Sequence, residues 1–246
     1  MAMARRVPRY VLGSVQRNMS FKSLDPPSSL THGIHVFHCP DAVGIVAKLS
    51  DCIASRGGNI LAADVFVPEN KQVFYSRSDF VFDPVKWPRV QMEEDFLKLS
   101  QTFNAIRSVV RVPALDPKYK IAVLASKQIL SGNFLRSYGN DIINIHHGLL
   151  PSFKGGNPSK QVGVPAPSQA FEAGVKLIGA TSHYVTEELD AGPIIEQMVE
   201  RVSHRDNLQS FVQKSENLEK QCLSKAIRSY CELRVLPYEE KRTVVF

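Results

Sequence analysis

This sequence of 246 residues lacks several features that would decide its class at once. Its four cysteines form no Cys-x-x-Cys pair, which indicates reduced thiols rather than a disulfide framework or a zinc site. No apolar run approaches the roughly 20 residues that span a bilayer. The seven histidines include no His-Glu-x-x-His spacing, so we expect no metal site. With 43% hydrophobic and 22% charged residues, the chain is typical of a globular protein with room for two modest domains.

Positive charge is concentrated near the start of the sequence, within a formal net charge of +6. Residues 1–29 contain five basic side chains against the single acid Asp25, so they supply four of the six net charges. The rest is nearly balanced and has no basic stripe with interleaved aromatics, so no nucleic-acid partner is expected. An Arg-rich, acid-poor segment is typical of an organellar transit peptide, and the dominance of arginine favours mitochondria over plastids. A disordered basic tail is the alternative.

Residues 30–113 show the pattern of one compact α/β unit. Four segments of strand length alternate with two of helical spacing in the order βαββαβ, which predicts a ferredoxin-like arrangement. Asp41 is positioned to cap the first helix, and the Gly57-Gly58 pair to end it. The predicted strands are Ile34–Phe37, Asn59–Val67, Val73–Phe82 and Arg107–Val112, with a second helix at Glu93–Phe103 that offers Phe96, Leu97 and Phe103 for packing.

The stretch Ile143–Pro158 begins as an apolar run and ends in polar residues, Pro and Gly. Buried parallel strands have this pattern where they deliver side chains to a site at their carboxyl edge. Asn144 and His146 are two residues apart, so they share one face and could polarise a carbonyl and stabilise the resulting oxyanion. Asp190, in a turn before Gly-Pro, could orient His146 and take a proton from water. Taken singly, such a His is often only a hydrogen-bonding group and such an Asp only a turn residue.

The segment Asn144–Gly155, followed by His183–Ile195, resembles the formyltransferase-type domain of enzymes that use 10-formyltetrahydrofolate. The paired His146-His147 resembles the formyltetrahydrofolate deformylase branch, because amine formyltransferases usually have His-Pro there. The resemblance implies a domain with a Rossmann-like parallel sheet. It also implies an enzyme that hydrolyses this folate to tetrahydrofolate and formate without a metal or cofactor. The implied residues are Asn144, His146 and Asp190 for catalysis, and Ile129, Leu130, His147, Val185, Thr186 and Glu187 for substrate binding.

Within the first unit, Cys39–Val46 and Gly57–Ile60 resemble an ACT domain, a ferredoxin-like module that commonly binds small amino acids, often across a subunit interface. The resemblance implies effector contacts from Asp41, Gly44 and Asn59, and a homo-oligomer built through this domain. The alternative is a domain that only forms a dimer interface, because turn geometry alone also explains Gly and Asn at those positions.

The formyltransferase-type resemblance covers residues 114–246 but is interrupted twice. After Gln128 several βα units of the family are missing, so we expect a sheet of about four strands with exposed apolar edges and marginal stability. Residues 162–168 form an insert whose prolines and glycine predict a loop. Beyond it, Ser203 is positioned to cap the last helix, and Thr243–Phe246 to form an edge strand.

Three functional interpretations remain open on these grounds. The paired histidines and the ACT unit favour a deformylase in folate metabolism and purine supply. An amine formyltransferase would instead pass the formyl group to an amine acceptor. The missing segment favours an inactive isoform that keeps only ACT-mediated dimerisation or amino-acid binding. A deletion and an insertion that both preserve the reading frame suggest alternative or mispredicted splicing, a hypothesis that transcripts across both junctions would test.

Overall fold

The computed structural model of the chain describes residues 30–117, 122–124, 130–139, 141–151, 170–238 and 241–246. The expected transit peptide, Ile129 and the insert at 162–168 lie outside the described residues. Gln128, where the shortening is expected, lies outside them too. The described strands form two four-stranded sheets and one two-stranded sheet.

The first part of the chain is a four-stranded antiparallel sheet with two helices. β1 pairs with β3 and β4, and β2 pairs with β3, which gives the order β2–β3–β1–β4. This topology confirms the predicted ferredoxin-like order βαββαβ. The elements are β1 (Thr31–Pro40), α1 (Ile45–Ser55), β2 (Asn59–Phe66), β3 (Val73–Phe82), α2 (Arg89–Thr102) and β4 (Arg107–Arg111).

Aromatic side chains fill the space between this sheet and its helices. The period-two alternation predicted for β3 places Phe80 and Phe82 in one cluster with Trp87 and Phe96, each at most 2% exposed. Full burial of one such side chain stabilises the fold by roughly 1.5–3 kcal/mol. This cluster is therefore one source of stability in the first unit.

The ends of α1 differ in how well the sequence predicts them. Gly57 follows the helix with a φ of 74°, as expected for a glycine that ends a helix. At the other end the predicted cap is wrong, because the N-cap residue is Gly44, with a φ of 90° and no side-chain hydrogen bond. Asp41 instead donates its backbone N–H to the carbonyl of Gln72.

The packing face of α2 was only partly predicted. Phe96 is buried as expected, but Leu97 is 57% exposed, so its predicted packing role is wrong. The helix begins before Glu93, and its first turns bury Met92 instead. Because successive residues are about 100° apart around a helix, burying Phe96 turns its neighbour Leu97 toward the surface.

The second sheet carries the residues expected to form the site. Its strands among the described residues number four, in the order β5–β6–β7–β8. β5 and β6 are parallel, but β7 runs antiparallel to both β6 and β8. The elements are β5 (Ala122–Leu124), α3 (Gly132–Tyr138), β6 (Ile142–His146), β7 (Leu177–Tyr184) and β8 (Ile194–Arg201).

The predicted parallel sheet is therefore wrong for most of the described strand pairs. The loop between β7 and β8 is short, and antiparallel neighbours need no more than a turn. A parallel pair would need a crossover of about a dozen residues or more. Apolar runs predict strands but do not give strand direction, so the direction of β7 could not be predicted from them.

A long helix, α4 (Leu208–Cys231), covers one face of the second sheet. The side chain of Asn207 accepts a hydrogen bond from the backbone of Ser210 and caps this helix. The predicted cap at Ser203 is wrong, although both residue types are good caps, because the helix begins later. Its buried side chains include Phe211, Leu218, Cys222 and Ala226.

The chain ends in a hairpin of β9 (Val235–Tyr238) and β10 (Arg242–Val245), close to the predicted edge strand. Arg77 of β3, 1% exposed, donates from Nε and Nη2 to the carbonyl of Glu232, just after α4. A cation at the carbonyl end of a helix is favourable, so this contact ties the two units together. Beside it, Leu233 and Leu236 pack with Ile34, Val36 and Tyr75 of the first sheet.

Three further observations concern membrane spans, metal-binding groups and the cysteines. Across the described residues, no helix is both long and apolar enough to cross a membrane. Within those same ranges, no group of three or more His, Cys, Asp or Glu side chains could hold a metal ion. The four cysteines are free thiols, and burial raises the pKa of Cys39 and Cys222 to about 11.

Candidate active site

Two neighbouring strands bring polar side chains to one face of the second sheet. In the antiparallel pairing of β6 with β7, Asn144 lies opposite His183, and His146 lies opposite Thr181. Directly opposed residues in such a pair point to the same face, so all four side chains share it. The other face carries Ile143, which packs in a cluster with Ala226 of α4. The sheet thus separates an apolar side from a polar one.

Asp190 reaches this polar face from the loop between β7 and β8. Its Oδ2 lies 3.3 Å from Nδ1 of His146, and its Oδ1 lies 3.7 Å from Nε2 of His183. Its φ of 52° is a left-handed conformation that Asp adopts more readily than most residues. Gly192 lies against the carbonyl of Tyr184, where a Cβ atom would overlap the oxygen. The loop is held close to β7, so one carboxylate faces two imidazoles.

Burial sets the protonation of both imidazoles. It lowers the pKa of His146, and the Asp190 carboxylate opposes this shift without cancelling it. Burial also lowers the pKa of His183, against the opposing effects of its bond to the Tyr184 carbonyl and of Asp190. Both rings are therefore neutral at neutral pH, and both can take up a proton when charge develops beside them.

His183 is a member of this group that the sequence prediction omits. Its Nδ1 lies 2.8 Å from the carbonyl oxygen of Tyr184, which only accepts, so Nδ1 carries the proton. Nε2 of the neutral ring is then an acceptor, and Nδ2 of Asn144 donates to it at 3.3 Å. The amide oxygen of Asn144 has no hydrogen-bond partner within the described ranges. His183 opens the resemblance segment, but only the strand register shows what it contacts.

His147 points to the other side of the sheet. Neighbouring residues on a strand face opposite ways, and Nδ1 of His147 lies 2.7 Å from Oε1 of Glu219 on α4. The hydroxyl of Ser215 donates to the same carboxylate at 3.3 Å. The structure thus gives His147 a helix contact, away from the face that carries Asp190. A direct contact between His147 and a substrate stays a prediction.

The remaining predicted substrate residues lie after β7 and beside α3. Val185 donates its backbone N–H to the carbonyl of Ile142 at 2.9 Å. Thr186 donates to the carbonyl of Glu188 at 3.0 Å, within the exposed turn. Glu187 is exposed and forms an ion pair with Arg136 of α3. The Glu187 carboxylate also lies against Gly132, the first residue of α3, so this turn contacts the start of α3. The predicted residue Leu130 is half-buried and lies two residues before Gly132.

The predicted effector residues do not come together within one chain. The loop carrying Asp41 and Gly44 follows Pro40, which pairs with Val73 at one end of β3. Asn59 pairs with Val81 near the other end. Eight residues of strand at about 3.4 Å each place these ends about 27 Å apart. A single site made from all three residues would need more than one copy of the chain.

Comparisons with known proteins agree on one family. The formyl transferase profile matches residues 89–227, more than half of the chain. The Arabidopsis thaliana protein named formyltetrahydrofolate deformylase 2, mitochondrial, is 56% identical over 305 positions that cover 92% of this chain and 90% of that protein. For formyltetrahydrofolate deformylase 1, mitochondrial, of the same plant, the identity is 54%, with 92% of each chain covered.

The chain belongs to the formyltetrahydrofolate deformylase family. A crystal structure of a formyltetrahydrofolate deformylase from Pseudomonas syringae pv. tomato agrees, with a TM-score of 0.72 and 28% identity over 91% of this chain and 96% of that one. The profile match begins at Arg89, the first residue of α2, whereas β4, which follows α2, pairs in the first sheet. The start of the match therefore does not coincide with the boundary between the two units.

The alignment with a deformylase relative also gives the size of the shortening. Because 92% of 246 residues is about 226 residues, about 79 of the 305 aligned positions fall opposite gaps in this chain. A βαβ unit takes roughly 30 residues or more, so the gaps correspond to two or three such units. The count does not show where the gaps fall, so the loss of several βα units directly after Gln128 stays a prediction.

Proposed function

We propose that this chain hydrolyses 10-formyltetrahydrofolate to tetrahydrofolate and formate, in one-carbon metabolism and purine supply. The observation that supports this most directly is the position of Asp190, between the rings of His146 and His183. Asn144, bonded to His183, adds an amide to the same group. The names of the plant relatives and the family membership support the same activity.

Asn144 is the group we assign to the formyl oxygen. An amide nitrogen carries two hydrogens, and the bond to His183 uses one of them. The second is available to donate to the formyl oxygen and to the oxyanion that replaces it. One donor of this kind is worth about 10²–10³ in kcat.

His146 and Asp190 manage the proton. Water adds through its oxygen to the formyl carbon, and the proton it loses passes to the His146–Asp190 pair. The positive charge that forms on the ring stabilises the tetrahedral oxyanion. When the carbon–nitrogen bond breaks, the pair returns a proton to N10, and the products are tetrahydrofolate and formic acid, which loses its proton to solvent as formate. In this proposal Asn144, His146 and Asp190 supply the donor and the proton acceptor, so no step is assigned to a metal or a cofactor.

In this proposal, His147 affects whether water or an amine accepts the formyl group. The resemblance implies that the paired histidines favour water over a substrate amine as the acceptor. The Glu219 contact holds His147 on the α4 side, so its effect would reach the site through the backbone of β6. Leu130, Val185, Thr186 and Glu187 would line the folate site from α3 and the neighbouring turn.

Because a shortened domain could be inactive, the decisive measurement is whether the chain hydrolyses 10-formyltetrahydrofolate. The test is formate release from 10-formyltetrahydrofolate by the full 246-residue chain, beside Asp190→Asn and Asp51→Asn. Asp51 is an exposed residue of α1 and serves as the matched control. Turnover that persists in the Asp51 variant and disappears in the Asp190 variant supports the proposal. No turnover by the unmodified chain contradicts it and favours the inactive isoform.

We assign residues 30–113 to an ACT domain that joins two copies of the chain, and residues 114–246 to the catalytic domain. The edge strand β2 exposes Leu61 and Val65, at 58% and 49%, and an unpaired edge favours pairing with another strand. The test is the molar mass in solution of Val65→Lys beside Val85→Lys, a loop control. Only the first substitution should yield monomers, and a dimer in both contradicts the assignment.

An amino-acid effector would bind across the resulting subunit interface. This follows from the separation of Asn59 from Asp41 and Gly44 along β3. The measurement is the thermal midpoint of the chain with each of the common amino acids, repeated with Asn59→Ala. A shift that Asn59→Ala abolishes supports the site, and the absence of any shift leaves the domain with dimerisation alone.

Mitochondrial import is the third part of the proposal. It rests on the Arg-rich composition of residues 1–29 and on the names of the two plant relatives, which include the word mitochondrial. A fluorescent protein fused after residue 29 should enter mitochondria in plant cells. Accumulation in plastids or in the cytosol would contradict this location.

A further inference from the structure

A row of polar residues crosses three strands of the second sheet at the level of His146. Thr181 lies directly opposite His146 in the pairing of β6 with β7. Gln197 lies directly opposite Thr181 in the pairing of β7 with β8. The Thr181 side chain is completely buried, which is unusual for a hydroxyl unless it is fully hydrogen-bonded.

The side chains of Thr181 and Gln197 bind the loop that follows the paired histidines. Thr181 donates its hydroxyl proton to the carbonyl of Gly148 at 2.7 Å and accepts the N–H of Leu150 at 3.0 Å. Gln197 donates from Nε2 to the same hydroxyl at 3.0 Å and to the carbonyl of Leu150 at 2.9 Å. Three polar backbone groups within three residues of the loop are thus held by two side chains.

Counting donors and acceptors shows what these side chains can do. A threonine hydroxyl has one proton and two lone pairs, and in Thr181 all three are in use. Nε2 of Gln197 has two hydrogens, and both are in use. The hydroxyl has no capacity left for a substrate or a water, so its role is to hold the loop.

We propose that Thr181 and Gln197 are positioning residues that fix the Gly148–Leu150 loop and thereby hold His146 against Asp190. The loop leaves β6 immediately after the histidines, and the N–H of Gly148 bonds back to the carbonyl of His146 at 2.9 Å. Leu149 packs directly over Gly179 of β7, which leaves the loop little freedom to move sideways. The catalytic part of this inference rests on the proposed deformylase activity.

The decisive variants are Thr181→Val and Thr181→Ser in the full chain. Valine keeps the shape and removes the hydroxyl, whereas serine keeps the hydroxyl and removes a methyl. We expect Thr181→Val to lower kcat for formate release about 10- to 100-fold, with KM within about twofold, because small displacements of a reacting group have effects of this size. Thr181→Ser should restore most of kcat. Thr102→Val, which removes a hydroxyl bonded to the carbonyl of Lys98, is the matched control.

Amide hydrogen exchange in residues 147–150 gives a second measurement that does not depend on turnover. Thr181→Val and Gln197→Met should speed exchange in this segment, and Thr102→Val should not. Gln197→Met also tests the proposal if Thr181→Val fails to fold. Unchanged exchange would show that Thr181 and Gln197 do not fix the loop. This outcome can be read even if the chain releases no formate, so failure of the proposal can be distinguished from failure of the proposed function. Faster exchange with unchanged kcat overturns the positioning role.

Discussion

The side-chain amide of Asn144 donates to Nε2 of His183 at 3.3 Å, and this bond fixes the orientation of the predicted oxyanion donor. The Tyr184 carbonyl requires the proton of the neutral ring to sit on Nδ1. Nε2 must therefore accept, and the amide nitrogen rather than the oxygen of Asn144 must face it. The residue assigned to the formyl oxygen is held by a histidine that has no direct role in the proposed chemistry.

Replacing His183 with Phe should therefore impair turnover without removing any assigned catalytic group. Phenylalanine keeps a ring of similar shape but offers neither the acceptor for Asn144 nor the donor for Tyr184. We expect kcat for formate release to fall about 10- to 100-fold, the usual effect of slight misplacement. His204→Phe makes the same change at an exposed position and should leave kcat unaffected. Equal kcat values for the two variants would contradict the role given to His183.

The pH dependence of kcat/KM should have an acidic limb below pH 6.5. Burial lowers the pKa of His146 from its ordinary 6.5, and the proposed mechanism starts with this ring neutral. Activity should accordingly decline as the pH falls through the lowered pKa of His146, which lies below 6.5. Steady-state kinetics between about pH 4.5 and 8 would show this limb. A limb centred above pH 7 would mean that a different group controls the reaction.

Much of the site was accessible from the sequence because polar side chains at the end of an apolar strand are unusual. The shared face of Asn144 and His146 follows from a period of two, and Asp190 follows from its turn. His183 could not be assigned in this way, because its role depends on which residue of β6 it faces. That register needs the direction of β7, which apolar runs do not encode.

The local errors have a similar origin. Ser203 and Asn207 are both good N-cap residues, and tertiary packing of α4 decides between them. Leu97 and Phe96 are adjacent apolar residues, and only the position of the sheet decides which one is buried. By contrast, the βαββαβ order was predictable because the residues that end its helices and strands act locally, as Gly57 does with its positive φ.

Gly192→Ala should destabilise the second sheet and reduce activity. A Cβ atom at Gly192 would overlap the carbonyl oxygen of Tyr184, and backbone atoms cannot rotate out of the way. The loop would have to move away from β7 and take Asp190 with it. We expect a loss of about 1–3 kcal/mol in the free energy of unfolding, the usual cost of overpacking.

Gly139→Ala gives the comparison for this loss. Gly139 has no heavy atom within 4 Å of its ideal Cβ position, but its φ of 67° disfavours alanine. Gly139→Ala should therefore lower the free energy of unfolding by only roughly 1 kcal/mol, through backbone strain, and formate release should be retained. If both variants unfold at the same denaturant concentration and keep the same activity, Gly192 is not needed for close approach to Tyr184.

The first unit should lose stability in mild acid because of His35. This ring is 2% exposed, stacks on Phe96 at 3.8 Å between ring centroids and lies 3.0 Å from the hydroxyl of Ser108. Burial lowers its pKa from 6.5 to about 3. Between these values the unfolded chain binds a proton that the folded chain does not, so stability is complete above pH 6.5 and is lost as the pH falls. At 1.36 kcal/mol per unit, the loss at pH 5 is about 2 kcal/mol relative to pH 7.

Trp87 allows this loss to be measured in the unit concerned. It is the only tryptophan of the chain, it is completely buried, and it packs against Phe96. Urea unfolding followed by its fluorescence at pH 7 and pH 5 gives the two free energies of unfolding. In His35→Phe the difference between them should shrink by about 2 kcal/mol, because the titrating group is gone. A difference as large as in the unmodified chain would assign the acid sensitivity to other groups.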